Sequence, residues 1–258
     1  MSTIDPDWFD RTRLLLGDKA IQTINTKSVA IFGIGGVGSF AAEALARCGV
    51  GIIHLIDKDV VDKTNINRQL LALHSTVGLL KTDVMRARIL DINPNAKVIT
   101  YPIFFAEDSK EAFDFSQVDY VVDAIDTIDS KVFLISEAYR FNVPIISAMG
   151  AGNKLDPTGF RIDDLSKTSV CPLAKIMRRR LKAIGITHIP VVYSKEMPST
   201  NEFDVDADES EVKRTGKVKR PVGSIAFVPS VVGLIMAGYV VNQFIDEVNN
   251  ASTLSTIE

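Results

Sequence analysis

The segment from Val29 to Val50, VAIFGIGGVGSFAAEALARCGV, constrains the fold more than any other stretch. A short apolar run, VAIFGI, enters a turn made by Gly33, Gly35, Gly36 and Gly38. The run SFAAEALARCG follows with helical periodicity and stops at Gly49. A strand, a glycine turn and a helix in that order open a βαβ unit. Gly33, Gly35 and Gly38 have the G-x-G-x-x-G spacing of a dinucleotide-binding fingerprint. The first lets the chain turn tightly, the second lets phosphate approach the backbone, and the third lets the helix pack on the strand. Phosphate then sits at the helix N-terminus, where free N–H groups point outward.

The same alternation continues. IIHLID is a second apolar strand and ends at Asp57. A helix is expected from about Lys81 to Ile92, stopping before Asn93-Pro94. KVITYPIF, YVVDAID and VPIISAMG read as further strands, and SKVFLISEAYRFN as a helix between the last two. Strands alternating with helices predict an α/β fold: a Rossmann-like, doubly wound, mostly parallel sheet with helices on both faces. Residues 7–26 form a helical lead-in. After Gly150 the regularity weakens. LAKIMRRRLKAIG reads as a C-terminal basic helix. Residues 194–220 read as a flexible charged loop, acidic in EFDVDADESE and basic in VKRTGKVKR. There is no internal repeat, and residues 1–258 read as one domain.

From Pro221 to Ile245 there is no charged residue, a length that could span a bilayer. Pro229 and the small residues Gly233, Ala237 and Gly238 favour a core instead: a buried strand, SIAFV, a turn at Pro229-Ser230 and a buried helix. Stable membrane insertion is not expected; peripheral association stays open. An apolar fraction of 46% supports a sizeable core. The net charge of −3 gives no global cation field, so a nucleic-acid site has to be a local basic patch. Two cysteines, Cys48 and Cys171, fit a reducing cytosol with no disulfide framework. The segment MSTIDPDWFDRTR lacks the apolar run of a secretory signal, and the expected location is cytoplasmic.

Asp57 lies about twenty residues past the glycine turn, where a carboxylate binds ribose hydroxyls. A dinucleotide site needs little more. Here Asp57 opens DKDVVDKTNINRQ, in which Asp59 is followed by Asn65, Arg68 and Gln69. The amides and the guanidinium are donors for phosphate oxygens, and Arg can bind them bidentately. Lys81 adds a cation at the next helix start. Asp126, in VVDAIDT, is placed to hold Mg²⁺ through a carboxylate. A lone surface Lys or Arg is ordinarily a solvated charge. The ordered set suits a triphosphate and its metal, so ATP and Mg²⁺ are the expected ligands.

With these motifs the chain resembles the ubiquitin-activating-enzyme-like superfamily of adenylating enzymes. The resemblance covers most of the chain, through Arg13, the glycine loop, DKDVVDKTNINRQ, VGLLK, INPN and VVDAID. It implies ATP-dependent adenylation of a carboxylate. Asp57 would bind ribose, Asn65, Arg68, Gln69 and Lys81 would hold phosphates, and Asp126 would hold Mg²⁺. It also implies a homodimer in which Arg13 reaches the triphosphate of the partner subunit. The segments SAMGAGNKLDPTGFRIDDLSKT, LSKTSVCPLAKIMRRRLKAIGI and GSIAFVPSVVGLIMAGYVV resemble one branch, the tRNA threonylcarbamoyladenosine dehydratases. That branch activates the carboxylate of the modified adenosine, and the modification's own carbamoyl group then closes the ring.

Basic residues agree with a tRNA substrate. Lys175, Arg178, Arg179, Arg180 and Lys182 cluster on one helix, and Lys213, Arg214, Lys217, Lys219 and Arg220 form a second tract. Phosphate-backbone contact is the expected role of both. Cyclisation supplies its own attacking group, so Cys171 is expected to be dispensable. Cys48 reads as packing. Two rival readings are a ubiquitin-like or sulfur-carrier adenylating enzyme and an NAD-binding sensor. The first most often carries C-x-x-C zinc motifs, which this chain lacks. The second leaves Arg68, Lys81 and Asp126 without a purpose. A sulfur-relay partner stays conceivable on the resemblance.

Overall fold

A computed structural model describes residues 6–199 and 222–254. The order of elements is α1 (Pro6–Thr26), β1 (Ser28–Phe32), α2 (Gly38–Arg47), β2 (Ile52–Ile56), α3 (Lys81–Ile92), β3 (Lys97–Tyr101) and β4 (Tyr120–Asp123). It continues with α4 (Ile128–Arg140), β5 (Ile145–Ala148), β6 (Phe160–Asp164), α5 (Pro172–Lys182), β7 (Pro190–Ser194) and α6 (Phe227–Leu254). The seven strands form one sheet in the order β3-β2-β1-β4-β5-β7-β6. Every pairing is parallel except β6 with β7. The expected doubly wound α/β sheet is therefore present, with an antiparallel edge. The strand order reverses beside β1, whose neighbours are β2 and β4, and that crevice is where such sheets bind ligands.

Both faces are covered, as short, wholly apolar strands require. On one face α2, α3 and α6 bury Leu45, Ile89 and Met236 against Ile31, Ile53 and Val122. On the other, α4 and α5 bury Leu134 and Met177 beside Phe32, Phe105, Phe113 and Phe115. Phe32 meets Phe105 and Phe113 edge-on at centroid distances of 4.8 and 5.1 Å.

Two strands, β6 and β7, were absent from the sequence expectation. FRIDD carries polar residues on an edge, and PVVYS is too short for its periodicity to register. The expected strand SIAFV is not one. Phe227 and Val228 open α6, and Ser224 and Ile225 precede it as irregular chain. Pro229 falls in the first helical turn, where its missing N–H costs nothing, so it starts this helix rather than breaking it. The helix is long and apolar enough to cross a membrane, yet half of its apolar stretch is buried in the fold. Val228, Val232, Met236, Val240 and Phe244, four residues apart, face the core. The charged loop expected over 194–220 lies mostly outside the described residues; its first residue closes β7.

His54 on β2 is a buried imidazole between the Ser28 hydroxyl at 3.1 Å and the Tyr101 hydroxyl at 3.4 Å. Burial, with the Lys97 ammonium adding to it, holds its pKa down to about 4. In the unfolded chain it titrates near 6.5. Between those values the unfolded chain binds the proton and the folded one does not. Stability therefore falls as pH drops from about 6.5 towards 4. Chemical denaturation at pH 7.5 and at pH 5 should show a loss of about 2 kcal/mol that His54→Phe lacks.

Candidate nucleotide-binding cleft

The crevice above β1, β2 and β4 is a cleft of about 770 Å³. Its walls include Gly33, Gly35, Gly36, Asp57, Asp59, Asn65, Arg68, Gln69, Lys81 and Asp126. Residues up to 93 positions apart in the sequence thus converge on one site, because parallel strands deliver their C-terminal ends to the same edge. Gly38 is the first residue of α2, beneath the loop.

Two glycines are sterically enforced. Gly33 has φ 87°, and a Cβ there would lie 2.7 Å from the Ala124 carbonyl oxygen. A Cβ on Gly38 would lie 1.8 Å from the Gly33 carbonyl oxygen. The turn is closed so tightly that α2 begins directly over β1. The α2 N-terminus has no side-chain cap and no acidic residue in its first turn, as an anion site needs.

Asp57 is half-buried and rigidly held. It accepts from the Ile34 amide at 2.6 Å and from the Asp59 amide at 2.8 Å. Burial pushes its carboxyl pKa up, against the opposing pull of the Lys81 ammonium and those two amides. Asp59, expected from the sequence to contact ligand, lines the cleft; its carboxylate also holds Lys81 at 2.9 Å, and the Lys81 amide donates to the Asp59 carbonyl at 3.0 Å. Asp59 therefore fixes a cation that would otherwise wander.

The loop carrying Asn65, Arg68 and Gln69 is built on a short 3-10 turn, Lys63–Asn65. Asp62 caps it by accepting from the Thr64 amide at 2.7 Å, while Asn65 Oδ1 accepts from the Asp62 amide at 3.1 Å. Arg68 donates from Nη1 to the Thr64 carbonyl and to Asn67 Oδ1, each at 2.9 Å. Gln69 is buried and its Oε1 has no partner. A buried acceptor left without a protein partner is the kind of group that water satisfies.

Asp126 lies three residues beyond the end of β4, which is shorter than the expected YVVDAID. It is exposed in the turn before α4 and forms no ion pair among the described residues. Lys58 and Phe104, at 4.7 Å from nitrogen to ring centroid, line the rim and escaped the sequence reading. So did a fully buried ion pair, Lys131 with Asp123 at 2.7 Å, behind the cleft wall. Lysine is so often a solvated charge that a helical SKVF run gives no sign of it.

Arg13 does not line the cleft of its own chain. It sits on α1, ion-paired to Asp10 at 3.1 Å and Asp18 at 2.9 Å. The basic helix also divides. Arg178 donates to the Thr168 carbonyl at 2.7 Å, and Arg180 pairs with Asp129. Lys175, Arg179 and Lys182 are exposed and share one helical face. Lys213, Arg214, Lys217, Lys219 and Arg220 lie outside the described residues. Cys171 is only 2% exposed, at the N-cap of α5. Cys48 is half-buried, and burial raises its thiol pKa.

The chain is 49% identical over 245 residues to the tRNA threonylcarbamoyladenosine dehydratase of Bacillus subtilis, covering 93% of this chain and 95% of that one. The crystal structure of the Escherichia coli tRNA N6-threonylcarbamoyladenosine dehydratase in complex with AMP superposes with a TM-score of 0.85 at 34% identity, covering 97% of this chain and all of that one. The same protein in complex with ATP gives a TM-score of 0.83 at 34% identity over 96% and 99% of the two chains. Residues 9–257 match the model of the ThiF family, and the chain belongs to that family.

Proposed function

We infer that this chain is an ATP-dependent tRNA threonylcarbamoyladenosine dehydratase. It adenylates the carboxylate of the modified adenosine and promotes cyclisation. The likeness to a dehydratase over nearly the whole of both chains carries this reading. The cleft supplies its chemistry.

ATP binds with its phosphates over the glycine loop and the α2 N-terminus, and its ribose on Asp57. Arg68 and Lys81 supply positive charge, and Asn65 and Gln69 supply amide donors to the phosphate oxygens. Gln69 lines the cleft beside the glycine loop, where its side-chain nitrogen is the group able to donate. Asp126 fits Mg²⁺, which takes one or two carboxylates together with substrate phosphates. Among the described residues no cluster of three or more acidic, His or Cys side chains forms a metal cage, at Asp126 or elsewhere, so the phosphates would supply the remaining ligands. Bound there, Mg²⁺ would neutralise charge on the triphosphate.

The substrate carboxylate attacks the α-phosphorus. A new P–O bond forms, the bond to the β-phosphate oxygen breaks, and pyrophosphate leaves. The carbamoyl group then attacks the acyl carbonyl, loses a proton and expels AMP. The net change in the nucleoside is loss of water. The protein contributes positioning and fixed charge. The step needs no enzyme nucleophile, and the burial of Cys171 away from the cleft lining supports a packing role for it.

The tRNA backbone docks on Lys175, Arg179 and Lys182, extended by the basic tract 213–220. The working enzyme is a cytoplasmic homodimer in which each cleft borrows Arg13 from its partner. The absence of Arg13 from its own cleft supports this, since a guanidinium supplied in trans can stabilise transferring phosphate charge.

Mass analysis of tRNA nucleosides after incubation with ATP, Mg²⁺ and the protein tests the activity: the cyclic product with AMP and pyrophosphate is expected, and none would refute it. Arg68→Ala and Lys81→Ala should each lower kcat/KM for ATP roughly 10- to 100-fold, as loss of a charge-assisted contact of about 1.5–3 kcal/mol requires. Lys81→Ala leaves only the half-exposed Asp59 without its partner, and Arg68→Ala removes only exposed hydrogen bonds, so both variants should stay folded by circular dichroism.

Reversing charge in Arg179→Glu with Lys182→Glu should raise the KM for tRNA about tenfold, flatten its salt dependence and spare ATP affinity. Arg13→Ala and Arg68→Ala chains, each weakened alone, should regain activity when mixed into heterodimers, since some then hold one intact site. No recovery in a verified heterodimer would remove the shared site.

A further inference from the structure

Behind the cleft wall lies a closed polar group that neither nucleotide nor tRNA touches in the reading above. Asp123 ends β4 and Lys131 lies on α4, and both side chains are 0% exposed. Lys131 Nζ donates to Asp123 Oδ2 at 2.7 Å and to Ser147 Oγ on β5 at 3.2 Å. Ser147 Oγ in turn donates to Asp123 Oδ2 at 2.6 Å. The other carboxylate oxygen, Oδ1, accepts from the Ile125 amide at 3.1 Å. One carboxylate therefore ties together the end of β4, the turn that follows, the first turns of α4 and the neighbouring strand.

That turn, Ala124–Thr127, is a wall of the cleft and carries Asp126. It is also the surface against which the glycine loop closes. The Ala124 amide donates to the Phe32 carbonyl at 2.8 Å, and the Ala124 carbonyl occupies the space a Cβ on Gly33 would need. A shift of the turn would move Asp126 and the glycine loop together.

A buried ion pair is a poor way to gain stability, because desolvation cancels most of the attraction. What it does well is exclude alternatives: any other arrangement strands a charge in a low dielectric. We propose that Asp123, Lys131 and Ser147 are positioning residues that lock the β4–α4 turn, so that Asp126 and the Gly33 loop keep one separation through adenylate formation. The proposal rests on the reading of Asp126 given above.

Ser147→Ala removes one of the two donors to Asp123 Oδ2 without stranding the charge. Asp123→Asn combined with Lys131→Met keeps an acceptor for Ile125, leaves no buried charge unpaired and serves as an independent second variant. Each is measured by ATP–pyrophosphate exchange with the substrate tRNA, by hydrogen exchange of the peptide covering 121–131, and by melting temperature. Ser147→Ala should lower kcat roughly tenfold and leave the KM for ATP within about twofold, the signature of misplacement rather than lost binding. Exchange at 124–127 should quicken while the β2 peptide is unchanged, and Ser147→Thr should restore both. A lower melting temperature with unchanged kcat and unchanged exchange at 124–127 in both variants would overturn the proposal. Asp126→Asn is run in parallel. If it is inactive while the other variants are silent, the positioning role falls and the reading of Asp126 stands. If it is fully active, the reading of Asp126 falls and takes the proposal with it.

Discussion

The structure hangs on the closeness with which the chain turns from β1 into α2. Gly33, in a left-handed conformation, passes under the Ala124 carbonyl, and Gly38 passes within contact of the Gly33 carbonyl. No side chain fits at either point. The helix therefore begins at the very end of the strand, with its uncapped N-terminus over the sheet. That places the N-terminal end of α2 at the point where β1's two neighbours, β2 and β4, diverge. The rest of the cleft is arranged around that end.

Three of the charged side chains in the cleft are held by the protein itself. Lys81 rests on Asp59, Arg68 on the Thr64 carbonyl and Asn67, and Asp57 on two backbone amides. A long cation held by one partner loses less freedom on meeting a phosphate than a free one does. Asp62 and Asn65 cap each other in the short turn that presents Arg68 and Gln69. The carboxylates of DKDVVDK thus divide by geometry: Asp57 faces the cleft, Asp59 steadies a cation and Asp62 shapes the backbone.

Much of this was legible in the sequence because it is local. A glycine turn between an apolar strand and a helix is written in consecutive residues, and so is the run from Asp57 to Gln69. Parallel topology then brings Asp126 to the same edge without any contact having to be foreseen. What could not be read depends on distant partners. Arg178 and Arg180 look equivalent to Arg179 until Thr168 and Asp129 claim them. Lys131 looks like a surface lysine until Asp123 and Ser147 enclose it. The strands β6 and β7 are polar or short, and they exist because they pair with each other at the sheet edge. Pro229 reads as a turn until its position, the first turn of a helix, makes it a start signal.

That last misreading bears on the uncharged block at the C-terminal end. Length and composition would let Phe227–Asn250 cross a bilayer. Its stripe of Val228, Val232, Met236, Val240 and Phe244 is instead packed against the sheet and α2. The face needed by lipid is the face already used by the core. The helix also contributes to the cleft, since Pro229 lines it and stands 3.2 Å from where a Cβ on Gly36 would be. Asn67, next to Arg68, donates to the Ser224 carbonyl just before the helix at 3.0 Å. Withdrawing α6 into a membrane would therefore strip one face of the sheet and remove the backing of the glycine loop together. For this helix, insertion and packing against the sheet are competing uses of the same residues, and the fold has committed them to the core.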